Sequence, residues 1–231
     1  MKTYVWSIPT RAFHWLLVLG IIVSFISIEV ADSISIHVIS GLTIGIIILF
    51  RLLWGFLGPR YSHFKDFVLN PRVIVGFLRN ANHKQYIGHN PLASPVMMAI
   101  IVVVFLMVLS GIMLLSLSPD ITLLLSVNIE YHELFMEIHE ILFSLLMVLA
   151  GMHILGLILD RIKNREAGTL MSIFTGYKTI DGEGVKLNKG QRVISIIFGV
   201  LLILSLVLMI GNKQIPSIQL EDQDTEMVDE D

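Results

Sequence analysis

The sequence predicts an all-α integral membrane protein with five transmembrane helices. Of its 231 residues, 55% are hydrophobic and only 15% are charged, and the mean hydropathy is +0.79. A soluble domain of this length carries more charge. Several apolar runs also reach the roughly 20 residues that an α-helix needs to cross a bilayer.

Five apolar runs define these helices, with edges placed to within a few residues. We place the spans at 12–28, 36–57, 95–117, 134–159 and 193–210. The first run is followed by Glu29-Val30-Ala31-Asp32, which is not a small-residue cleavage site. We therefore interpret it as a retained helix rather than as a signal peptide.

The positions of lysine and arginine predict the orientation of the helices. Of the 16 basic residues, all but Lys213 lie in or beside the N-terminus, the second connection and the fourth connection. The positive-inside rule makes this side cytoplasmic. The short first and third connections face outward and carry acidic residues, namely Glu29, Asp32, Asp120 and Glu130. The N-terminus is thus expected in the cytoplasm and the C-terminus outside.

The two long connections and the tail differ in character. In the second connection, Asn70-Pro71 and Asn90-Pro91 are signals of a turn or a helix start, and the apolar residues 73–77 are expected on the membrane surface. The fourth connection is glycine-rich and is predicted to be a flexible cytoplasmic loop. The tail from Ser217 has seven acidic residues and no basic ones, so we expect it to be disordered and external.

Four histidines form two pairs at matching depths. His139 and His153 lie fourteen positions apart in the fourth span, just short of four turns, so both rings leave one face roughly 21 Å apart along the axis. His14 starts the first span and His37 starts the second. Helix direction therefore puts His14 at the depth of His153, near the inner face, and His37 at the depth of His139, near the outer face. Imidazole pairs from facing helices suit b-type haem as axial ligands.

Other features of the sequence bear on this interpretation. The chain contains no cysteine, which excludes disulfides, cysteine-bound iron–sulfur clusters and covalently attached haem. A flat macrocycle also needs close approach to the backbone, which glycine permits. Gly41 lies one turn after His37, and three further glycines lie near the inner histidines, namely Gly20, Gly151 and Gly156.

Each histidine also has a simpler interpretation, as a hydrogen-bonding residue between helices or a headgroup contact. His132 lies two turns before His139 on the same face and is an alternative outer ligand, but Tyr131 and Glu133 beside it indicate an aqueous position. The remaining histidines of the second connection are predicted to be surface or loop residues, namely His63, His83 and His89.

Several segments resemble the bacterial cytochrome b561 family, which groups with the b-type cytochrome subunits of nickel–iron hydrogenases and formate dehydrogenases. The matching segments are VWSIPTRAFHW at 5–15, HVISG at 37–41, RLLWGFLGPRY at 51–61, NPLA at 90–93 and TGYK at 175–178. The resemblance covers about residues 4–178. It implies a four-helix core in a bacterial inner membrane, two b haems with His14, His37, His139 and His153 as axial ligands, and electron exchange with quinone.

The fifth span and the acidic tail depart from that four-helix core. We therefore expect a di-haem membrane domain over 1–178, a cytoplasmic loop over 179–192, an additional transmembrane helix over 193–211 and an external acidic tail over 212–231.

Four further residues have expected roles at these sites. Arg11 is the first candidate to bind an anionic haem propionate, and Arg51 and Arg60 come next, since arginine suits bidentate recognition of carboxylates. The alternative is that these three side chains snorkel to the membrane surface at helix ends. Asn90 is a candidate hydrogen-bonding residue for quinone, and the alternative is a turn residue before Pro91.

Three functions remain open from the sequence. The leading one is an electron-transfer subunit that connects an external dehydrogenase, hydrogenase or cytochrome c subunit with the quinone pool. The second is a stand-alone superoxide:quinone oxidoreductase, although acidic outer connections do not favour steering of an anion. The third is a haem-free transporter or assembly protein, which a Soret absorption band would exclude. No catalytic residue and no nucleic-acid partner is predicted.

Overall fold

The computed structural model describes residues 1–31, 33–79, 86–117, 131–163 and 167–211. In chain order its elements are β1 (Thr3–Tyr4), α1 (Ile8–Glu29), α2 (Ile34–Leu57), a 3-10 turn (Phe64–Asp66), α3 (Pro71–Arg79), α4 (Ala93–Leu117), α5 (His132–Lys163), α6 (Thr169–Thr175), β2 (Tyr177–Lys178) and α7 (Lys189–Gly211). The acidic tail, the third connection and His83 lie outside these residues.

Five of these helices, α1, α2, α4, α5 and α7, are long and apolar enough to cross a membrane. Each contains one of the five predicted spans, and α7 begins at Lys189, four residues before its predicted start. Many of their large apolar side chains are exposed, as expected for helices that face lipid. The prediction of an all-α integral membrane fold is confirmed.

Helix α2 is the centre of the bundle. It packs against α1, α4 and α7. Helix α5 packs closely on α4, and it meets α1 and α2 through ring contacts, Phe143 with Phe25 and His139 with His37. The core is built mainly from large apolar residues of α2, namely Ile44, Ile47, Ile48, Phe50 and Trp54. The fifth membrane helix, α7, contacts α2 through the stacked rings of Phe50 and Phe198, whose centroids lie 4.0 Å apart.

Glycines allow close packing at two helix interfaces, α1 on α2 and α2 on α4. A Cβ atom at Gly20 of α1 would lie 2.9 Å from Cγ1 of Ile44, and one at Gly45 of α2 would lie 2.9 Å from Cγ1 of Val108. Gly20 therefore serves the packing of α1 on α2, because Ile44 fills the space that the sequence led us to expect for a macrocycle.

One end of the bundle collects residues 1–7, 58–79, 86–92 and 167–188, and we call it the basic end; the opposite end is the distal end. At the basic end β1 and β2 pair antiparallel, with Thr3 opposite Lys178 and Tyr4 opposite Tyr177. Gly176, at φ 89°, turns the chain so that its carbonyl accepts hydrogen bonds from the N–H groups of Val5 and Trp6. Only glycine adopts this left-handed conformation without strain.

The fourth connection is therefore ordered in residues 167–188, and the prediction of a flexible loop is wrong for them. Backbone pairing to the N-terminus, together with a small apolar cluster of Val5, Trp6, Tyr61 and Val185, holds it in place. In the second connection, α3 begins at Pro71 as predicted, and Oδ1 of Asn70 accepts a hydrogen bond from the N–H of Arg72.

Candidate functional site

At the distal end, the rings of His37 and His139 face each other. His37 lies in the first turn of α2 and His139 in the second turn of α5. Their ring centroids are 6.1 Å apart and their planes are inclined by 71°. His132, the alternative outer residue, is the exposed first residue of α5.

Hydrogen bonds fix which nitrogen of each distal ring carries the proton. Nδ1 of His37 lies 3.0 Å from the carbonyl oxygen of Ser24, which only accepts, so this nitrogen is the donor. Ser110 donates its hydroxyl proton to the carbonyl of Met107, so its oxygen accepts from Nδ1 of His139 at 2.9 Å. Nε2 of each ring is therefore left with its lone pair, as a metal ligand requires.

The spacing of the two distal rings suits one metal ion between them. With metal–nitrogen bonds of about 2.0 Å, the length that imidazole shows on zinc, two rings on opposite sides of a metal have centroids about 6 Å apart. Among the described residues no group of three or more His, Asp or Glu side chains comes together. A pair of axial imidazoles fits haem iron better than a centre that takes all of its ligands from the protein.

Space for a flat group adjoins this pair. A Cβ atom built on Gly41, one turn after His37, meets nothing within 4 Å. Helix α5 makes few close backbone contacts with α1 and α2, and side chains bridge the gap, His139 with His37 and Phe143 with Phe25. The open space for a flat group is therefore the one beside Gly41.

The second histidine pair lies toward the basic end. His14 in α1 is half-buried and interacts electrostatically with His153 of α5. Nδ1 of His14 is shielded from solvent and has no hydrogen-bond partner among the described residues. The positions beside Gly151 and Gly156 are open, since a Cβ atom at either would meet nothing within 4 Å. This pair thus differs from the distal pair, in which Nδ1 of each histidine has a hydrogen-bond partner.

Arg51 is buried at the basic end, with 5% of its surface exposed. Its guanidinium carbon lies 4.9 Å from the ring centroid of Phe64 and 5.7 Å from those of Phe13 and Phe67. Its Nη1 donates a hydrogen bond of 3.3 Å to the carbonyl of Ser62. The alternative of a snorkelling side chain is therefore wrong for Arg51, because aromatic rings enclose its head.

The other arginines near this end differ in their partners. Arg11 donates from Nη1 to the carbonyl of Phe174, while its Nε is shielded and has no hydrogen-bond partner among the described residues. Arg60 is exposed and forms an ion pair with Glu183. Arg11 therefore keeps one buried donor for an additional acceptor.

His89 lies in the loop before α4, as expected, but its ring is partly buried among aromatic side chains rather than on the open surface. Its ring stacks on Phe67, with centroids 4.6 Å apart, and lies 4.8 Å from the ring of Trp6. Nδ1 is shielded from solvent without a hydrogen-bond partner in the described chain. Burial, and then the nearby charges of Lys178, Arg51 and His153, lower the pKa of His89 from 6.5 to about 3.

Lys178, the strand residue opposite Thr3, completes this group, although no role was predicted for it. Only 3% of its surface is exposed, and Nζ donates a hydrogen bond of 2.9 Å to the carbonyl of Gly88. Burial lowers the pKa of Lys178 to about 8, although the Asp160 carboxylate acts in the opposite direction. Its place at the end of the matched segment 175–178 was the one hint in the sequence that Lys178 has a role. Its burial could not be predicted, because it depends on a strand partner 175 positions away.

Asn90 adjoins His89 and caps the start of α4. Its Oδ1 accepts hydrogen bonds from the N–H groups of Leu92 and Ala93, at 3.0 and 2.7 Å. The turn role expected for this residue is therefore present. Its amide nitrogen is not used by the cap, so the side chain retains two N–H donors.

Comparisons with known proteins bear on these sites. A family model described as prokaryotic cytochrome b561 matches residues 5–176, which include both histidine pairs. Neither the curated proteins nor the solved structures yielded a match.

Proposed function

The chain belongs to the prokaryotic cytochrome b561 family of b-type haem proteins that transfer electrons in membranes, and from this premise we propose that it binds two haems and carries electrons between quinone and an external redox partner. It is a multi-pass bacterial membrane protein with five candidate spans. Haem iron supplies a one-electron carrier at each site.

The distal pair is the observation that supports this proposal most strongly. His37 and His139 are 6.1 Å apart between ring centroids, and each has its Nδ1 proton engaged. Their role is to hold iron through Nε2. By the same reasoning His14 and His153 hold the second haem toward the basic end, where they lie within electrostatic range of each other.

Arg11 and Arg51 are suited to bind the propionates of the second haem. Arg51 is a buried cation, and no carboxylate of the described chain forms an ion pair with it. Arg11 has a shielded Nε without a partner. A propionate carboxylate would supply the acceptor that both side chains lack.

Quinone is assigned to the basic end, beside the start of α4. Asn90 keeps its side-chain oxygen in the helix cap and directs its free N–H donors to a quinone carbonyl. The buried surroundings of His89 and Phe67 provide an apolar wall for the ring. The basic end faces the cytoplasm by the positive-inside rule, so an external dehydrogenase, hydrogenase or cytochrome c subunit meets the distal end.

A haem count tests the main proposal. Purified full-length protein should yield two haems per chain in a pyridine haemochrome assay, and both should be extracted by acid acetone because the chain has no cysteine. A ratio of one haem per chain, or haem that remains with the protein, would contradict the proposal.

A charge-matched pair of variants tests the quinone site. Asn90→Asp keeps an oxygen for the cap of α4 but removes the amide donors, so reduction of the haems by a quinol should slow. Asn70→Asp makes the same change at the cap of α3 and should leave the rate unaltered. If the two variants react at equal rates, whether unaltered or equally slowed, Asn90 is not part of the quinone site.

A further inference from the structure

The two histidine pairs have opposite electrostatic surroundings. Arg51 and Lys178 are buried cations at the basic end, with 5% and 3% of their surfaces exposed. Arg51 lies 5.7 Å from the ring of Phe13, the residue before His14, and Lys178 lies 5.7 Å from the ring of Trp6. At the distal end the charged side chains of the described residues are carboxylates, and Glu137 and Glu140 flank His139 in the sequence.

The basic end keeps an excess of positive charge. Asp160 lies near Lys178 and offsets part of its charge. No carboxylate of the described chain offsets Arg51, whose contacts are three aromatic rings and the carbonyl of Ser62. The propionates proposed to bind there do not distinguish the two sites, since each haem carries two of them. A buried charge is screened far less by solvent and salt than an exposed one. The cations of the basic end therefore act more strongly on their site than the exposed glutamates act on theirs.

The hydrogen bonds of the ligands differ in the same sense. Nδ1 of His37 and Nδ1 of His139 both donate to serine oxygens, which makes these imidazoles more basic ligands. A more basic ligand stabilises oxidised iron. Nδ1 of His14 has no such acceptor in the described chain, so the imidazole of His14 is a less basic metal ligand.

Oxidised haem iron carries one positive charge more than reduced iron, so nearby cations favour the reduced form and carboxylates favour the oxidised form. Resting on the two-haem function proposed above, we infer that the haem of the basic end has the higher midpoint potential, so that electrons move downhill from the distal end to the basic end. With the basic end in the cytoplasm, this difference also offsets the membrane potential, which opposes inward movement of an electron.

Redox titration of the purified full-length protein tests this order. His14→Ala leaves the distal haem alone, and His37→Ala leaves the basic-end haem alone, so the two midpoints are assigned separately. The basic-end midpoint should be the more positive. A distal midpoint equal to it or above it would overturn the inference, whereas fewer than two haems in the unaltered protein would instead contradict the proposed function.

Charge variants test the cause. Arg51→Gln and Lys178→Gln should each shift the basic-end midpoint to more negative values and leave the distal midpoint in place. Arg51→Lys and Lys178→Arg should restore most of the shift. Lys65→Gln, which removes an exposed charge from the same end, is the matched control. If Lys178→Gln and Arg51→Gln move the midpoint no further than Lys65→Gln does, buried charge does not set the order.

Discussion

Oγ of Ser110 on α4 lies 2.9 Å from Nδ1 of His139 on α5, and its own proton is donated to the carbonyl of Met107. The serine hydroxyl oxygen therefore accepts a hydrogen bond from the N–H group of the ring. It fixes the tautomer of His139 and holds the ring toward His37, although it contacts no cofactor itself.

Ser110→Ala should weaken haem retention at the distal end by about 10–100-fold, the range found when the hydrogen-bond partner of a metal ligand is removed. Transfer of haem to an excess of apomyoglobin measures this loss. Ser116→Ala is the matched control, because Ser116 lies on the same helix and, among the described residues, donates its hydroxyl proton to the carbonyl of Ile112. Identical retention in the two variants would show that Ser110 does not support the ligand.

The pairing of the histidines makes a second prediction. His14→Ala and His153→Ala should lose the same haem, and His37→Ala and His139→Ala should lose the other, because each axial ligand is needed for a six-coordinate site. Redox titration and low-temperature spectra of the four variants identify the haem component that is lost. If His14→Ala and His37→Ala lose the same component, the pairing is wrong.

Gly55 provides a packing test at the basic end. A Cβ atom there would lie 2.1–2.5 Å from three atoms of the Phe64 ring, and this ring covers the guanidinium of Arg51. Gly55→Ala should therefore lower the free energy of unfolding by about 1–3 kcal/mol. Gly199→Ala, at a position with nothing within 4 Å, should be neutral or stabilise α7 by up to about 1 kcal/mol. Thermal unfolding in detergent compares the two, and equal stability would contradict the packing argument.

The lowered pKa of His89 predicts how the stability of the fold depends on pH. Its pKa is about 3 in the folded protein and 6.5 ordinarily, so between these values the unfolded chain binds more protons than the folded one. Stability should therefore fall as the pH drops below about 6.5 toward about 3. Thermal unfolding at pH 5 and pH 7.5 measures the effect, and His89→Gln should reduce the difference. An unchanged difference in that variant would assign the pH dependence to other groups.

The sequence predicted the long elements well because length and apolar composition determine them locally. All five spans appear, and α3 begins at Pro71 as its Asn-Pro signal indicated. The depth of each histidine also follows from helix direction alone. These features need no knowledge of how distant segments pack.

The basic end was harder to predict because its structure depends on distant partners. Two-residue strands have no periodicity, and the pairing of Thr3 with Lys178 spans most of the chain. The burial of Arg51 and His89 comes from aromatic rings of other segments, whereas their own neighbours in sequence suggested a helix end and a loop. The serine partners of the ligands were missed because serine is common in membrane helices and only contact across helices distinguishes these two.

The pairing of β1 with β2 also determines the order in which the molecule is assembled. Thr3 leaves the ribosome early, but Lys178 follows 175 residues later, which takes roughly 9–35 s at about 5–20 residues per second. Arg11, His14, Arg51, His89 and His153 are all synthesised before the strand that closes this end. The strand pairing that joins the N-terminus to the fourth connection therefore cannot form until all five of these side chains have been synthesised.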